Sequence, residues 1–290
     1  MKILLTGGTG YIGKRLLPLL LQSGHQVICT VRDKNRFNVP LSFVDNIKVI
    51  ETDFADVRSV NSIPSDVDVA YYLIHSMSHE KDYEDMEKEC AKNFRNALEK
   101  TSVDQVIYLG GIVNEKILSK HLTSRKTVEE ELAKGGYNFT SLRSGIIIGS
   151  GSASFEIIRD LVEKLPIMVA PKWLKTKCQP ISVSDVLKIL TGVLKNPITY
   201  NQNFDIGGPK VLSYKQMLLE FAGERKLWRK IFVVPVLTPK LSSYWLYFIT
   251  STSFRLAHSL VGSMKVNIIC RNNNLTKMLK IKPISYLESL

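Results

Sequence analysis

The chain has 290 residues, of which 44% are hydrophobic and 23% are charged, and its formal net charge at pH 7 is +12. These proportions are typical of a globular protein with a sizeable core, and the length allows about two domains. No uninterrupted apolar run reaches the roughly 18 residues that a membrane span needs. The apolar run at residues 3–5 also ends too early for a secretion signal, so neither segment is expected.

The four cysteines lie far apart, with no CxxC pair and no histidine cluster beside them: Cys29, Cys90, Cys178 and Cys270. We therefore expect no disulfide framework and no metal site, and we predict reduced thiols in a cytoplasmic protein. The cations are spread along the chain, which favours a solvated basic surface. Contact with nucleic acid or anionic lipid stays open on charge alone, but no nucleic-acid-binding motif supports a specific nucleic-acid partner.

The first half alternates short apolar segments with segments of helical periodicity, which predicts an α/β fold with a parallel sheet covered on both faces. The predicted strands are Lys2–Thr6, Gln26–Val31, Ile47–Glu51, Val67–Ile74, Gln105–Leu109 and Thr140–Ile148. Helices are predicted from about Ile12, over Asp82–Lys100 and over Ser124–Ala133. The apolar stripe of the second predicted helix is formed by Tyr83, Met86, Cys90, Phe94 and Ala97.

Beyond about Gly149 the pattern is less regular. Helices are predicted near Phe155–Lys164 and Asp185–Leu194, a strand at Asn203–Ile206, and a capped helix after Ser213. The aromatic segment 242–262, SSYWLYFITSTSFRLAHSLVG, carries charged and hydroxyl side chains. This composition favours packing over a substrate pocket rather than a membrane-lying face.

The segment TGGTGYIG follows the first strand and opens the first helix, which is the context of a dinucleotide-binding loop. Glycines at this spacing permit a tight turn, close approach of a pyrophosphate and close packing of helix on strand. The helix N-terminus then faces the anion. We therefore predict that the cofactor's phosphates contact the loop, whose predicted binding residues are Gly7, Thr9, Gly10, Tyr11, Ile12 and Gly13.

The segment after the second strand bears on the choice between NADP and NAD. Arg32 stands about where NAD-specific sites place a carboxylate, and a guanidinium there suits a 2′-phosphate. Asp33 is the counter-signal, because its carboxylate would suit a ribose hydroxyl. NADP(H) is the predicted cofactor and NAD the alternative. Asp53 and Phe54, after the third strand, are predicted to contact the adenine, although Asp53 equally suits a turn.

TGGTGYIG, the VRD after strand two, Asp53-Phe54 and LRSGIIIGSG together resemble the short-chain dehydrogenase/reductase superfamily. The chain is most similar to its atypical extended members, the NmrA-like and sugar-nucleotide-epimerase-like proteins. HLTSR, QPISVSDV and FDIGGPKVLSY resemble a bacterial branch of NAD(P)H-binding oxidoreductases. The resemblance implies a Rossmann-type doubly wound parallel sheet at about residues 1–150. A smaller α/β substrate lobe, intertwined with it, is implied at residues 151–290.

In the resembling families a Ser or Thr follows strand five, and a Tyr-x-x-x-Lys lies on the next helix. Here Gly110-Gly111 follows strand five and the helix carries His121-x-x-x-Arg125. One interpretation is that His121 acts as proton donor and Arg125 holds the nicotinamide ribose. The alternative is that His121 only caps the helix or faces solvent. The resemblance further implies cofactor contacts by Gly110 and by the residues where strand four ends, Leu73, Ile74 and His75, although His75 equally suits a loop position without a ligand.

Two function classes lead the interpretation of the sequence, and a third, a basic nucleic-acid or membrane-surface protein, rests on charge alone. One is an NADP(H)-dependent oxidoreductase or epimerase-like enzyme, acting on an unidentified small and largely apolar substrate. The other is a non-catalytic redox sensor or assembly partner that binds NADP(H), which the missing Ser, Tyr and Lys would explain. Trp173 and Gln179 lie where the resembling proteins build the walls of a substrate pocket, and the resemblance makes them candidates for that role. The protein is expected to be a monomer or a homodimer.

Overall fold

The structure is a computed structural model that describes residues 1–39, 41–75, 83–113, 120–234, 249 and 264–290. The chain divides into two compact units. Unit 1 comprises Met1–Gly110, Ser124–Arg143 and Leu187–Phe204, and unit 2 comprises Gly111–Thr123, Ser144–Val186 and Asp205–Leu290. A single division near residue 150 places Leu187–Phe204 in the C-terminal lobe, whereas these residues belong to unit 1. The chain therefore passes between the units several times.

A seven-stranded sheet forms the centre of unit 1, and its strands are β1 Lys2–Thr6, β2 Gln26–Val31, β3 Ile47–Glu51, β4 Val69–Tyr72, β5 Gln105–Gly111, β6 Asn138–Ser144 and β11 Gln202–Ile206. They lie in the order β11-β6-β5-β4-β1-β2-β3. The pairings from β3 through β2, β1 and β4 to β5 are all parallel. This architecture confirms the predicted α/β Rossmann-type fold.

The helices that connect these strands are α1 Gly13–Gln22, α2 Tyr83–Leu98 and α3 Lys120–Leu132. Helix α1 buries Leu16, Leu17, Leu20 and Leu21, which recur at three- and four-residue spacing and form one apolar face. The parallel pairing requires such crossovers, because consecutive parallel strands cannot be joined by a tight turn.

The strand order reverses between β1 and β4. Strands β2 and β3 lie on one side of β1, whereas β4 and β5 lie on its other side. Thr6 secures this junction. Its hydroxyl donates to the backbone oxygen of Tyr71 at 2.9 Å and accepts from the N–H of Leu73 at 3.0 Å. In open α/β sheets, ligands bind outside the carboxyl ends of the strands at such a reversal.

Aromatic side chains between the sheet and α2 form a large part of the unit 1 core. Phe94 of α2 packs edge-on against Phe54, with ring centroids 5.6 Å apart, and against Tyr72, at 4.8 Å. Tyr72 in turn lies 6.1 Å from Tyr108. All four side chains are buried, so α2 holds both the loop after β3 and the middle of the sheet.

In the part of the chain that the structure describes, unit 2 contains short strands and three helices of its own. Its elements are β7 Ile147–Ile148, α4 Ala153–Lys164, β8 Ile167–Pro171, β9 Lys177–Cys178, β10 Ile181–Ser182, β12 Leu212–Ser213, α6 Tyr214–Glu224, β13 Lys230–Val234 and α7 Leu275–Met278. Helix α5, Val183–Gly192, spans the boundary between the units. The strands form three two-stranded sheets, β7–β10, β9–β12 and β8–β13. A core between α4 and α6 includes Phe155 and Phe221, whose rings lie 5.8 Å apart.

One sequence-based expectation for this region needs correction, and two strands lie where the sequence predicts none. The predicted strand Thr140–Ile148 is two strands, because β6 ends at Ser144 and β7 pairs with β10 instead of the central sheet. The break falls at Gly145, where an added Cβ would lie 3.1 Å from the side chain of Ile268. The proline-bounded stretch 166–171, left unassigned from the sequence, contains β8, whose partner β13 was also not predicted.

None of the helices in the described part of the chain has both the length and the apolar composition needed to cross a bilayer.

Candidate functional site

The loop between β1 and α1 is shaped by three glycines. Gly7 has φ +68°, and a Cβ there would lie 2.7 Å from the backbone oxygen of Leu73. A Cβ on Gly13 would lie 2.2 Å from the backbone oxygen of Gly7, so no other residue fits without displacing the loop. Gly8, by contrast, has only ordinary contacts. A Cβ on Gly10 would also be tight, at 3.1 Å from Gly7 O, so the three positions that favour glycine have the spacing Gly7-x-x-Gly10-x-x-Gly13.

The N-terminus of α1 has the chemistry of an anion site. Its N-cap, Ile12, makes no side-chain capping hydrogen bond. Gly10 N–H donates to Gly7 O at 2.8 Å, which closes the turn directly before the helix. The first backbone N–H groups of a helix have no partner within it, and the helix dipole favours an anion beside them.

A cavity of about 700 Å³ opens beside this loop, at the carboxyl ends of the strands in unit 1. It is lined by Gly7, Thr9, Gly10, Tyr11, Ile12, Gly13, Thr30, Val31, Arg32, Thr52, Asp53, Phe54, Ala55, Leu73, Ile74, His75, Met86, Cys90 and Leu109. The lining contains every predicted cofactor-binding residue except Gly110 and Arg125. Glycine backbone lies at one part of the lining and apolar side chains at another, which fits the phosphates and the base of a dinucleotide.

Seven lining residues were not named from the sequence: Thr30, Val31, Thr52, Ala55, Met86, Cys90 and Leu109. Five of them lie within four residues of the carboxyl end of a strand, a position that could have identified them. Met86 and Cys90 were assigned to the apolar stripe of α2, and the same stripe also reaches the cavity. Burial raises the pKa of the Cys90 thiol to about 11, so at neutral pH it contributes an uncharged, apolar wall.

Two side chains after β2 are candidates for contact with the cofactor, Asp33 with the ribose and Arg32 with the 2′-phosphate, and their surroundings differ. Asp33 accepts a hydrogen bond from Asn35 N–H at 3.0 Å and pairs with Arg36, whose Nε lies 3.3 Å from its second oxygen. Both carboxylate oxygens are thereby engaged within the 3-10 turn Lys34–Arg36. Arg32 is exposed and lines the cavity.

The loop after β3 is held from two sides. Asp53 Oδ1 accepts from Ala55 N–H at 3.0 Å, so this carboxylate supports a turn. Asn93 of α2 donates its side-chain amide to the backbone oxygen of Phe54 at 2.9 Å. Phe54 is only 4% exposed and lies in both the core and the cavity lining.

Arg125 lies outside the cavity lining, in a buried ion pair. Its guanidinium Nη1 is 3.9 Å from Oε1 of Glu87, and both residues are at most 5% exposed. Ser124 donates its hydroxyl to the other oxygen of Glu87, and Tyr108 donates to the backbone oxygen of Arg125 at 3.2 Å. Burial lowers the pKa of Arg125 to about 10, which leaves it charged at neutral pH. We call these four residues the α2–α3 cluster.

The remaining positions that correspond to the family's catalytic residues are His121 and Gly110. His121 lies in the first turn of α3, and its side chain is outside the described residues. At Gly110 a Cβ would lie 2.5 Å from the ring of Tyr108, so the tyrosine ring covers the space that a side chain there would take. Among the described residues, no group of three His, Cys, Asp or Glu side chains is placed to hold a metal ion.

The candidate pocket residues of unit 2 have different roles. Gln179 is buried, donates to Gly208 O at 2.7 Å and accepts from Cys270 N–H at 3.1 Å, so its amide joins backbone segments. Trp173 stacks edge-on against Tyr214 at 5.9 Å and lines an apolar cavity of about 20 Å³. That volume holds about one water molecule, which is too small for a substrate.

Comparison with known proteins places the chain in a family. Residues 7–164 match the model of a family described as NAD(P)H-binding. The chain belongs to this NAD(P)H-binding family. The matched range begins at the glycine loop and covers every residue that lines the unit 1 cavity.

One curated relative is the chloroplastic divinyl chlorophyllide a 8-vinyl-reductase of Cucumis sativus, 25% identical over 228 residues, 71% of this chain and 52% of that protein. The chain thus spans about half of that relative's length. Two solved structures share the fold of this NAD(P)H-binding chain. A nucleoside-diphosphate-sugar epimerase from Staphylococcus aureus has a TM-score of 0.80 at 15% identity, over 99% of this chain and 98% of that one. An NADPH-dependent quinone oxidoreductase from Escherichia coli, in complex with NADPH, has a TM-score of 0.77 at 18% identity, with the same coverage.

Proposed function

We propose that this chain is an NADP(H)-dependent oxidoreductase that acts on a small, largely apolar substrate. The observation that carries the proposal is the pairing of the glycine-loop cavity with an exposed Arg32 at its lining, while Asp33 is engaged in its own turn. A guanidinium binds a 2′-phosphate through charge-assisted hydrogen bonds, whereas an engaged carboxylate is a poor partner for a ribose diol. The NADPH-bound quinone oxidoreductase of the same fold supports this assignment.

The residues present fit the cofactor in three respects. The N-terminus of α1 and the glycine backbone would hold the pyrophosphate, Arg32 the 2′-phosphate, and Phe54 with Met86 the adenine. When bound, the nicotinamide would supply a hydride. The chain's own task would then be to orient the cofactor, to exclude water with the apolar lining, and to supply a proton, for which His121 is our candidate.

Paired calorimetric titrations with NADPH and NADH test the cofactor assignment. We expect tighter binding of NADPH, and about 10- to 100-fold weaker NADPH binding in Arg32→Ala, because a hydrogen bond to a charged group contributes about 1.5–3 kcal/mol. NADH binding should be little changed. Arg58→Ala, another exposed arginine of unit 1 outside the cavity lining, is the matched control. Equal affinities for the two cofactors would remove Arg32 from this role.

Turnover separates the enzyme from the second candidate function, a non-catalytic NADP(H) sensor. The sensor is favoured by Gly110-Gly111 in the place of the family serine and by the buried pairing of Arg125. Substrate-dependent NADPH oxidation with a panel of quinones and carbonyl compounds would support the enzyme, and a loss of at least about 100-fold in both His121→Ala and His121→Gln, whose amide can hydrogen-bond but cannot release a proton, would support His121 as proton donor. NADPH binding without turnover across the panel would favour the sensor.

We further propose a cytoplasmic location. All four cysteines are free, and burial raises the pKa of Cys29, Cys178 and Cys270 to about 12. Such thiols are unreactive and persist as thiols in a reducing compartment.

A further inference from the structure

Unit 2 carries an exposed apolar face on its two-stranded sheet β8–β13, formed by Ile167, Val169, Trp228 and Phe232. These side chains are exposed by 54%, 52%, 68% and 48%. The parallel register places Phe232 beside Val169 and Lys230 beside Ile167, so the strands present one continuous outer surface. The residues between them, Met168 and Ile231, point into the core. We call this surface the β8–β13 face.

The face is held firmly in place. Arg229, which follows Trp228, donates from its guanidinium to three backbone oxygens, those of Val162 and Glu163 at the end of α4 and of Trp228 itself. Lys230 N–H donates to Pro166 O at 3.1 Å, which joins the starts of the two strands. Trp228 is therefore presented to solvent on an anchored backbone, although exposing a tryptophan is unfavourable in water.

The segments that contain and adjoin the two strands are rich in cations. The segments 165–177 and 225–234 contain no Asp or Glu, and their seven basic residues are Lys172, Lys175, Lys177, Arg225, Lys226, Arg229 and Lys230. Among the described residues, none of the seven forms an ion pair. The chain as a whole carries +12, so this region concentrates more than half of the net charge in two short segments.

We propose that the β8–β13 face docks the protein on an anionic lipid bilayer. Exposed Trp and Phe with a surrounding group of Lys and Arg are the composition of surfaces that lie in the headgroup region. The apolar side chains would enter the boundary between headgroups and acyl chains, and the cations would contact lipid phosphates. This mode needs no membrane-spanning segment. It is independent of the proposed cofactor chemistry.

Two other occupants fit the face less well. A second copy of the chain, related by a two-fold axis, would bring the same basic groups against each other, and like charges oppose such contact. Single-stranded nucleic acid would match the charges, but bases stack on aromatic rings, and half of the face is aliphatic. An anionic bilayer suits both, because its acyl chains can contact the aliphatic side chains and its phosphates the cations.

Co-sedimentation of the full chain with vesicles tests the proposal. One set of vesicles contains phosphatidylcholine alone, and the other contains equal parts of phosphatidylcholine and phosphatidylglycerol. We expect binding to the second set only, weakened as salt is raised. Trp228→Ser with Phe232→Ser should weaken it at least about tenfold, because two buried aromatic side chains are lost from the contact. Lys226→Glu with Lys230→Glu should weaken it at least about 30-fold, since each cation near the surface contributes about fivefold.

The controls place serine or glutamate on exposed residues of unit 1. Val57→Ser is the control for apolar exposure, and Lys48→Glu with Lys100→Glu for net charge. NADPH binding by every variant reports on folding. Equal losses in the controls, no binding to anionic vesicles, or tighter binding to single-stranded DNA than to vesicles would overturn the proposal. So would a dimer that dissociates in the Trp228 and Phe232 variant.

Discussion

The glycine loop and the α2–α3 cluster lie in the same unit and are built in opposite ways. The loop is formed by backbone atoms, and its conformation requires glycine, because a Cβ at Gly13 would lie 2.2 Å from Gly7 O. The cluster is made of side chains, in which Arg125 is paired with Glu87 and closed off from solvent. The first lines an open cavity, whereas the second packs two helices together.

The residues that line the cavity are therefore different from the residues at the family's catalytic positions. In the resembling reductases the position of Arg125 holds a lysine that contacts the nicotinamide ribose. Here the corresponding cation pairs with a carboxylate of α2 outside the cavity lining, whereas the glycine loop lines the cavity. We infer that cofactor affinity depends on the loop and not on the α2–α3 cluster. Function resides in sites carried by a fold, and the two sites can diverge independently.

The largest effect on cofactor binding is expected from Gly13→Ala. The added Cβ must displace the β1–α1 turn, which we expect to lower the free energy of unfolding by about 1–3 kcal/mol and to weaken NADPH binding more than about 100-fold. Calorimetric titration and denaturant unfolding measure the two effects. Gly223→Ala is the matched control, because a Cβ there meets nothing within 4 Å and alanine favours the helix. Unchanged NADPH affinity in Gly13→Ala would remove the loop from the site.

The next effect concerns the α2–α3 cluster. Glu87→Gln and Arg125→Met should each destabilise the fold by about 3–5 kcal/mol, since each leaves a buried group without its partner. The double variant should be more stable than the sum of the single changes predicts. Denaturant unfolding measures this double-mutant cycle.

The cofactor affinity of the same variants sharpens the comparison. If Arg125 acts only through packing, NADPH binding by the folded Arg125→Met protein should stay within about threefold of the parent, because less than about 0.7 kcal/mol would then be lost. A loss of tenfold or more would show that Arg125 reaches the ribose, as the family pattern implies, and would end the separation of the two regions.

Much of unit 1 could be predicted from the sequence, for a physical reason. Strands β1, β2 and β3 have the predicted bounds, because each is a short β-branched or apolar run between turn residues, and the glycine loop is a local code. The pairing of Arg125 with Glu87 was not predictable in this way. It joins residues 38 positions apart on two helices, and helix periodicity does not show which side chain of one helix meets which of the other.

Contacts between distant segments also limited how well the strands of unit 2 could be predicted from the sequence. The capping box at Ser213 and Gln216 is local and was predicted, and the structure contains it. Strands β8 and β13 are recognised only through each other, because a two-stranded parallel sheet depends on pairing between segments about 60 residues apart. A proline at each end of β8 further weakened its signal.

The smallest effect is expected from an exposed charge cluster of unit 1, which serves as a reference for the buried one. Asp104, before β5, accepts from Lys195 Nζ at 2.7 Å and from Tyr200 and Asn138, and the Lys195 hydrogen bond holds the Asp104 pKa below its ordinary value of 3.8. Because the folded-state pKa is the lower one, the stabilisation is complete above pH 3.8 and is lost as the pH falls through the folded-state pKa.

Both partners are more than a third exposed on the side chain, with 34% for Lys195 and 47% for Asp104, so solvent screens the pair. Asp104→Asn should therefore cost no more than about 1 kcal/mol at neutral pH, should cost less in high salt, and should cost almost nothing in strong acid. Urea unfolding across this pH range, at two salt concentrations, measures it. The Glu87→Gln difference should be insensitive to salt, because that pair is buried; equal salt dependence of the two differences would mean that water reaches the α2–α3 cluster and that it is not a packed ion pair.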